Sequence, residues 1–382
     1  MTIPIHTTGQ VISATGVDRT IALFRNSILQ FPSGTASSLE GQVGAGQLTT
    51  ELQDVLVALI GNSGGLGSYS ISHNDISAIA EGPSTIVMLG RQEAATGAAT
   101  GIREVFAVDA ITLAPVGTPV IVDSIPTSER DYPDMIKCGN YVWAIGATTG
   151  LNKVTKINVD TLASTGFTLG VDTAATVTAV ATDNSYIYAF TKHSTMYYPN
   201  SFIKVAQDGT AVGMIYSGLA TTGKVRLCVS NNGYLYASFD DSSVKQVRKY
   251  DTSPLNGLKE IWSVAGGDFL DTPTMMCAVD SYVYVLNGLY LHRLSSVTDE
   301  TELIHTYTTA PDRIYYDGTT LWVAMDDELY KCSKLGDILQ TTIPSTGQNI
   351  QAIRKSFGFL WNTFVSETTS ENIVKSYPGL PV

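Results

Sequence analysis

An all-β fold assembled from a repeated unit is what this sequence predicts, on three observations: an aromatic phrase recurs, its copies share the same flanking strands, and turn-forming residues separate them. The phrase "TDNSYIYAFTKHS", beginning at Thr182, returns as "CGNYVWAIG" around Trp143, "NNGYLYASF" around Tyr236, "DSYVYVLNG" around Tyr284, "DGTTLWVAM" around Trp322 and "SFGFLWNTF" around Trp361. A weaker copy, "GPSTIVMLG", centres on Val87. The intervals between centres run from 38 to 56 residues, around the period of about 40 to 50 that marks a radially repeated four-stranded unit.

Each phrase has a constant setting. Before it lies a short apolar strand, as in "TVTAVA", "VRLCVS", "TMMCAV" and "DRIYYD". Asp, Asn, Gly or Ser sits between the two, which is the chemistry of a tight hairpin. A third strand follows with a basic residue among apolar ones, as in "VTKINVD", "FIKVAQDG", "VRKYD", "LHRLSS" and "IVKSYPG". In most units a fourth comes next, "GTPVIV", "TAVGMIY", "LKEIWSV" or "DILQTTI" among them. Four antiparallel strands per unit, repeated radially so that sheet edges are hidden, describe a β-propeller. Seven copies predict seven blades of four strands, beginning near Ser70 and occupying 78–382 as a domain. Tyr or Trp residues two apart face one side of a strand, and are expected to pack between blades rather than bind a ligand.

Residues 1–77 read differently, as a small arm for attachment or oligomerisation. "TIALFRNSILQFPSG" predicts a hairpin, Ile21 to Phe24 against Ile28 to Phe31. "TASSLEGQVGAG" reads as a loop. "QLTTELQDVLVALIGN" then predicts a helix near 47–60, with Thr49 or Thr50 as N-cap and Gly61 as stop. Leu48, Leu52, Val55 and Leu59 make one apolar face at helical spacing. That face needs cover, either from the protein's own propeller or from copies of itself, and "GNSGGLGS" supplies a flexible hinge.

Composition narrows the function classes. At 44% hydrophobic and 15% charged the chain is rich enough in apolar residues to order a core. A formal charge of −12 gives no basic face for duplex nucleic acid. Cys138, Cys228, Cys277 and Cys332 lie far apart, without metal-binding spacing, and read as buried free thiols. "MTIPIHTTGQVIS" lacks the basic and apolar regions of a secretion signal, and the longest apolar run, Val55 to Ile60, is far short of the ~20 residues that span a bilayer. No membrane insertion and synthesis in a host cytoplasm are the expectation.

The common nucleophile, phosphate and metal signatures do not occur in the sequence, so no catalytic residue, metal or cofactor is assigned. Glu81, Asp183, Asp280 and Asp317 all fall at strand ends, where bonding to backbone explains them as turn formers. His6, His73, His193, His292 and His305 form no close pair in sequence. Binding is better sought in loops carried by a rigid scaffold. "TSERDYPDM" and "TKHSTMYYPNS" share one face of a propeller, which makes Arg130, Tyr132, His193, Tyr197, Tyr198 and Asn200 candidates for stacking on and hydrogen-bonding a sugar or contacting a protein.

The blade phrases resemble those of seven-bladed propellers in general, without the WD dipeptide or the kelch double glycine. A signal-less chain with a Gly, Ser and Thr-rich arm, a short helix and a sparsely charged β body is similar in style to bacteriophage virion proteins such as tail nozzle, fibre or capsid-decoration components. That resemblance implies a non-enzymatic structural protein located in the virion. Its partners would be other virion proteins, copies of itself and host-surface carbohydrate. The competing expectation is a propeller lyase or glycoside hydrolase working at the central channel.

Overall fold

The computed structural model describes residues 67–69, 73–93, 99–110, 112–123, 134–145, 153–168, 175–193, 200–216, 225–241, 244–253, 259–264, 273–325, 328–344, 350–356, 359–364 and 373–376. They form seven four-stranded antiparallel sheets. Strand β1 (Gly67–Tyr69) opens the chain order and is followed by blade 1: β2 (His73–Glu81), β3 (Thr85–Glu93), β4 (Ala99–Asp109) and β5 (Pro115–Asp123). Blade 2 holds β6 (Asp134–Cys138), β7 (Tyr141–Ile145), β8 (Lys153–Asn158) and β9 (Ser164–Thr168). Blade 3 holds β10 (Ala175–Thr182), β11 (Tyr186–His193), β12 (Ser201–Ala206) and β13 (Ala211–Tyr216). In blade 4 are β14 (Val225–Val229), β15 (Tyr234–Asp241), β16 (Val244–Asp251) and β17 (Lys259–Val264). Blade 5 contains β18 (Pro273–Val279), β19 (Tyr282–Asn287), β20 (Tyr290–Ser295) and β21 (Thr301–Thr306). Blade 6 contains β22 (Pro311–Tyr316), β23 (Leu321–Met325), β24 (Glu328–Cys332) and β25 (Ile338–Pro344). Last come β26 (Ile350–Ser356), β27 (Phe359–Phe364) and β28 (Ile373–Ser376).

Blade 7 is composite. Its order is β1-β28-β27-β26, with Gly67, Ser68 and Tyr69 paired to Lys375, Val374 and Ile373. An outer strand from the start of the chain thus completes a sheet made at its end. The boundary expected at residue 78 therefore moves back, because β1 and the first half of β2 already belong to the sheets. The arm's hairpin and the helix near 47–60, with Leu48, Leu52, Val55 and Leu59, lie outside the described residues.

Packing explains why the aromatic phrase repeats. The inner strands β2, β6, β10, β14, β18, β22 and β26 each contact the next, and β26 returns to β2. Between neighbouring blades lies one apolar cluster per junction. Trp143 packs with Val177, Ile187 and Ala189 of blade 3, and Tyr188 with Leu235 and Ala237 of blade 4. Tyr236 lies against Val283 and Val285 of blade 5, Tyr284 against Leu321 and Val323 of blade 6, and Trp322 against Ile350 and Leu360 of blade 7. Trp361 closes the circle on Ile79 and Met88 of blade 1, whose Val87 meets Val142 of blade 2. All these aromatic rings are 1% exposed or less, so they are core, as their spacing implies.

The basic residue of the third strand has an equally definite place. Lys204 Nζ sits 4.1 Å from the Tyr186 ring centroid and donates to the Thr252 carbonyl of the next blade at 2.6 Å. Lys249 Nζ repeats this over Tyr234 at 4.1 Å, donating to Ser296 O at 2.9 Å and to Asp299. Lys156 lies over Tyr141 and reaches Gln207 O. A buried ammonium must be fully satisfied; here an aromatic face and the turn of the following blade supply that. At the junction of blades 5 and 6 the direction changes. Tyr284 Oη donates to Lys334 O at 2.6 Å, and Lys334 reaches back to Asp280. The turns themselves also plug the preceding blade: a Cβ on Gly209, whose φ is +92°, would lie 2.0 Å from the Phe167 ring.

Lys204→Met keeps the length of the stem but removes the donor, leaving Thr252 O without this bond. The expected loss of unfolding free energy is about 1–3 kcal/mol, from a charged hydrogen bond plus a partly buried cation–π contact. Denaturant titration measures it, and an unchanged midpoint would show that the latch contributes nothing.

Candidate functional site

Strand alternation gives the ring two unlike faces. Connections between the first and second strands of a blade, such as Gly82–Ser84, Asp183–Ser185 and Asp317–Thr320, are short and emerge on one face together with those between the third and fourth strands. On the other face lie the strand ends that lead into the second-to-third connections and the crossings to the next blade. Five inner hairpins carry a bulge at the end nearest this loop face, bending the inner strand there.

Carboxylates on the short-turn face are committed to structure. Asp183 Oδ1 accepts the backbone N–H of Ser185 at 2.8 Å and of Tyr186 at 2.7 Å, while Oδ2 accepts the Tyr188 hydroxyl at 2.7 Å. Asp317 does the same in blade 6, accepting Thr319 N–H at 2.8 Å, Thr320 N–H at 2.7 Å and the Trp322 indole N–H at 3.1 Å. In blades 3 and 6 turn acid and second aromatic are thus one device. Burial pushes the Asp317 carboxyl up, but the Thr320, Thr319 and Trp322 donors outweigh it and hold it at about 2. Asp280, at φ +54°, takes Lys334 instead. Asp183 and Asp317 fit the turn role expected of them; Asp280 stands in its turn, but its carboxylate serves the Lys334 ammonium of blade 6 in place of the backbone. Among the cysteines, Cys138, Cys228 and Cys332 are buried free thiols as anticipated, while Cys277 is only partly covered; burial pushes Cys228 up to about 12.

The loop face is where the candidate residues fall. β5 ends and β6 begins on it, as do β11 and β12, so the segments bearing Arg130, Tyr132, Tyr197 and Tyr198 join strand ends of one face. Those four residues lie outside the described set. His193 is the last residue of β11. Asn200, just before β12, is a correction: at 4% exposure it is buried at the foot of the loop, not offered to a ligand. Beside it Thr191 and Ser201 are also buried and share a hydroxyl hydrogen bond at 2.6 Å.

One polar arrangement at this face escaped the sequence. His73, at the start of β2, stacks on Phe106 with centroids 3.5 Å apart and an interplanar angle of 9°. Its Nε2 lies 2.7 Å from Glu104 Oε1, with both side chains buried. Phe106 belongs to the cluster that joins blade 7 to blade 1, and there Thr363 Oγ1 donates to Ile76 O at 2.6 Å. Imidazole and carboxylate in contact are the elements of proton transfer; here they are turned onto each other within blade 1, beside the closing junction of the ring. Local phrases give no hint of it, because the partners are 31 positions apart. The seam between blades 4 and 5 is also polar toward this face. Ser238 Oγ and both amide atoms of Asn287 are buried there without a hydrogen-bond partner. On the outer half of blade 5 a cleft of about 510 Å³ opens between Tyr282, Arg293, Glu300 and Glu302, with Arg293 donating to Glu302 at 2.6 Å. Among the described residues no group of three or more His, Cys, Asp or Glu is placed to hold a metal ion.

No protein-family model and no curated protein matches the chain. Solved structures do match. Virginiamycin B lyase from Staphylococcus aureus aligns with a TM-score of 0.58 at 12% identity, over 82% of this chain and 99% of that one. The WD40 domain of Pan2 from Neurospora crassa aligns at 0.59 and 10% identity, over 83% of this chain and 95% of that one. The likeness is to the fold. An enzyme and a WD40 domain are matched to similar degrees at this low identity, so the match carries the β-propeller architecture and no activity.

Asp317 supplies a pH signature for the turn device. Its folded-state pKa lies below the usual carboxylate range, so its contribution is present above about pH 4 and is lost as pH falls toward 2. Asp317→Asn is expected to lower the denaturation midpoint at pH 7, with the gap from the parent narrowing below pH 4. A gap that stays constant with pH would contradict the assignment.

Proposed function

We propose that the protein is a non-catalytic interaction scaffold, a structural component of a phage particle that presents the loop face of its propeller to a protein or host-surface glycan. The supporting observation is the asymmetry of the ring. One face is closed by short turns whose acids are spent on backbone and aromatic donors, while every long crossing between blades opens on the other. Rigid scaffolds with variable loops on one side are suited to recognition. The segments that join strand ends on that side carry Arg130, Tyr132, Tyr197 and Tyr198 in the sequence, residue types whose aromatic faces and guanidinium suit sugars and peptide surfaces alike. Placement in a virion rests on the style of the sequence, with its Gly, Ser and Thr-rich arm and few charges.

A lyase is the second reading, favoured by the alignment with virginiamycin B lyase, one structure of which contains quinupristin. Two measurements separate them. Titrated against purified bacterial surface polysaccharides, the protein is expected to bind one class, and Tyr197→Ala with Tyr198→Ala to weaken that binding at least tenfold, about 1.4 kcal/mol, as for aromatic anchors. Incubated with quinupristin, it is expected to leave the compound intact by mass spectrometry. Undiminished binding by the double variant, or conversion of quinupristin, would contradict the reading.

A further inference from the structure

Large apolar side chains exposed to solvent are ordinary when scattered and informative when gathered. Three of them gather at the short-turn edge of blade 6. Leu335, Ile338 and Leu339, in and just after the β24–β25 turn, are 52%, 47% and 62% exposed. The blade 6 turn is not free to tuck its leucine inward. Ser333 Oγ accepts the N–H groups of Leu335 and Asp337 at 3.1 Å, and Gly336 packs so tightly that a Cβ there would lie 2.7 Å from His305 Cβ.

Chain direction brings a partner to this edge. β1 runs antiparallel to β28, which places its first residue, Gly67, at the short-turn edge of blade 7, beside blade 6. The preceding residues 1–66 therefore reach the ring at the edge where the leucines are exposed. Within them Leu48, Leu52, Val55, Leu56 and Leu59 recur at helical spacing, with Thr50, Glu51, Gln53 and Asp54 between. Residues 61–66 extend no further than about 22 Å, so the stretch is tethered to the near rim and meets it at high effective concentration. Two heptads make a marginal self-paired coil, whereas a ready apolar surface within reach lacks that cost of association.

We propose that residues 47–60 dock as a helix, in cis, over Leu335, Ile338 and Leu339 of blade 6. A helix of that length measures about 21 Å and lays its leucine face on the rim, in the manner of an amphipathic helix in an apolar groove. This holds whether or not the loop face recognises a glycan.

The test uses the full chain bearing Leu339→Cys. Its labelling rate with a small maleimide is measured with residues 47–60 intact and with Leu52→Asp, Val55→Asp and Leu59→Asp together. At least tenfold faster labelling in the Asp variant is expected, with both proteins single chains by light scattering. Equal rates would overturn the proposal. A discrete oligomer dissolved by the Asp changes would also overturn it, because the occupant would then be a second copy. Reciprocal labelling of Val55→Cys, with and without Leu335→Asp and Leu339→Asp, gives the same reading from the other side if the first variant expresses poorly.

Discussion

A four-stranded blade of this protein cannot bury either of its apolar faces alone, so everything depends on the ring closing. Each junction is a cluster shared by two blades, and the junction between blades 7 and 1 completes the set. What secures it is a strand taken from the far end of the chain, with β1 paired to β28 at only three positions. In the same junction Trp361 packs on the blade 1 core and Thr363 is bonded to Ile76, while the His73–Glu104 pair within blade 1 stacks on Phe106 of that cluster. The Lys156, Lys204 and Lys249 latches carry the same logic through blades 2 to 5, joining a half-buried ammonium at Lys156 and buried ones at Lys204 and Lys249 to the following turn.

Much of the ring was legible because its chemistry is local and repeats. Aromatic pairs, a third-strand basic residue and, in some blades, a turn acid recur along the chain, and packing gives each one place: between blades, over the first aromatic, and under the second. The structure adds that turn acid and aromatic are bonded partners, visible in Asp183 with Tyr188 and Asp317 with Trp322. Elsewhere the sequence was mute for physical reasons. Gly67–Tyr69 is too short and too small in side chains to signal a strand; it is ordered by pairing with residues some 300 positions away. His73 and Glu104 meet only because β2 and β4 are brought together by β3. Asn200 looked like a loop contact because it follows two tyrosines, yet β12 begins at once and draws it inside.

Closure also organises function. Because strands alternate, a ring closed this way sorts its connections, with short capped turns to one side and long crossings to the other. The start of β1, Gly67, stands at the short-turn edge, opposite the loop face. Such polarity suits a component that attaches by one end and recognises by the other. It also leaves the channel-side turn acids occupied as capping groups.

Native-state hydrogen exchange, followed by mass spectrometry as denaturant is raised, tests the claim that closure governs the whole ring. If it does, peptides covering β1, β2 and β26 lose protection at one denaturant concentration, together with the inner strands of blades 3 and 4, as one cooperative unit. If β1 and β28 exchange freely well below the concentration at which the other blades open, the ring is held by its junctions without that strand, and the account of closure fails.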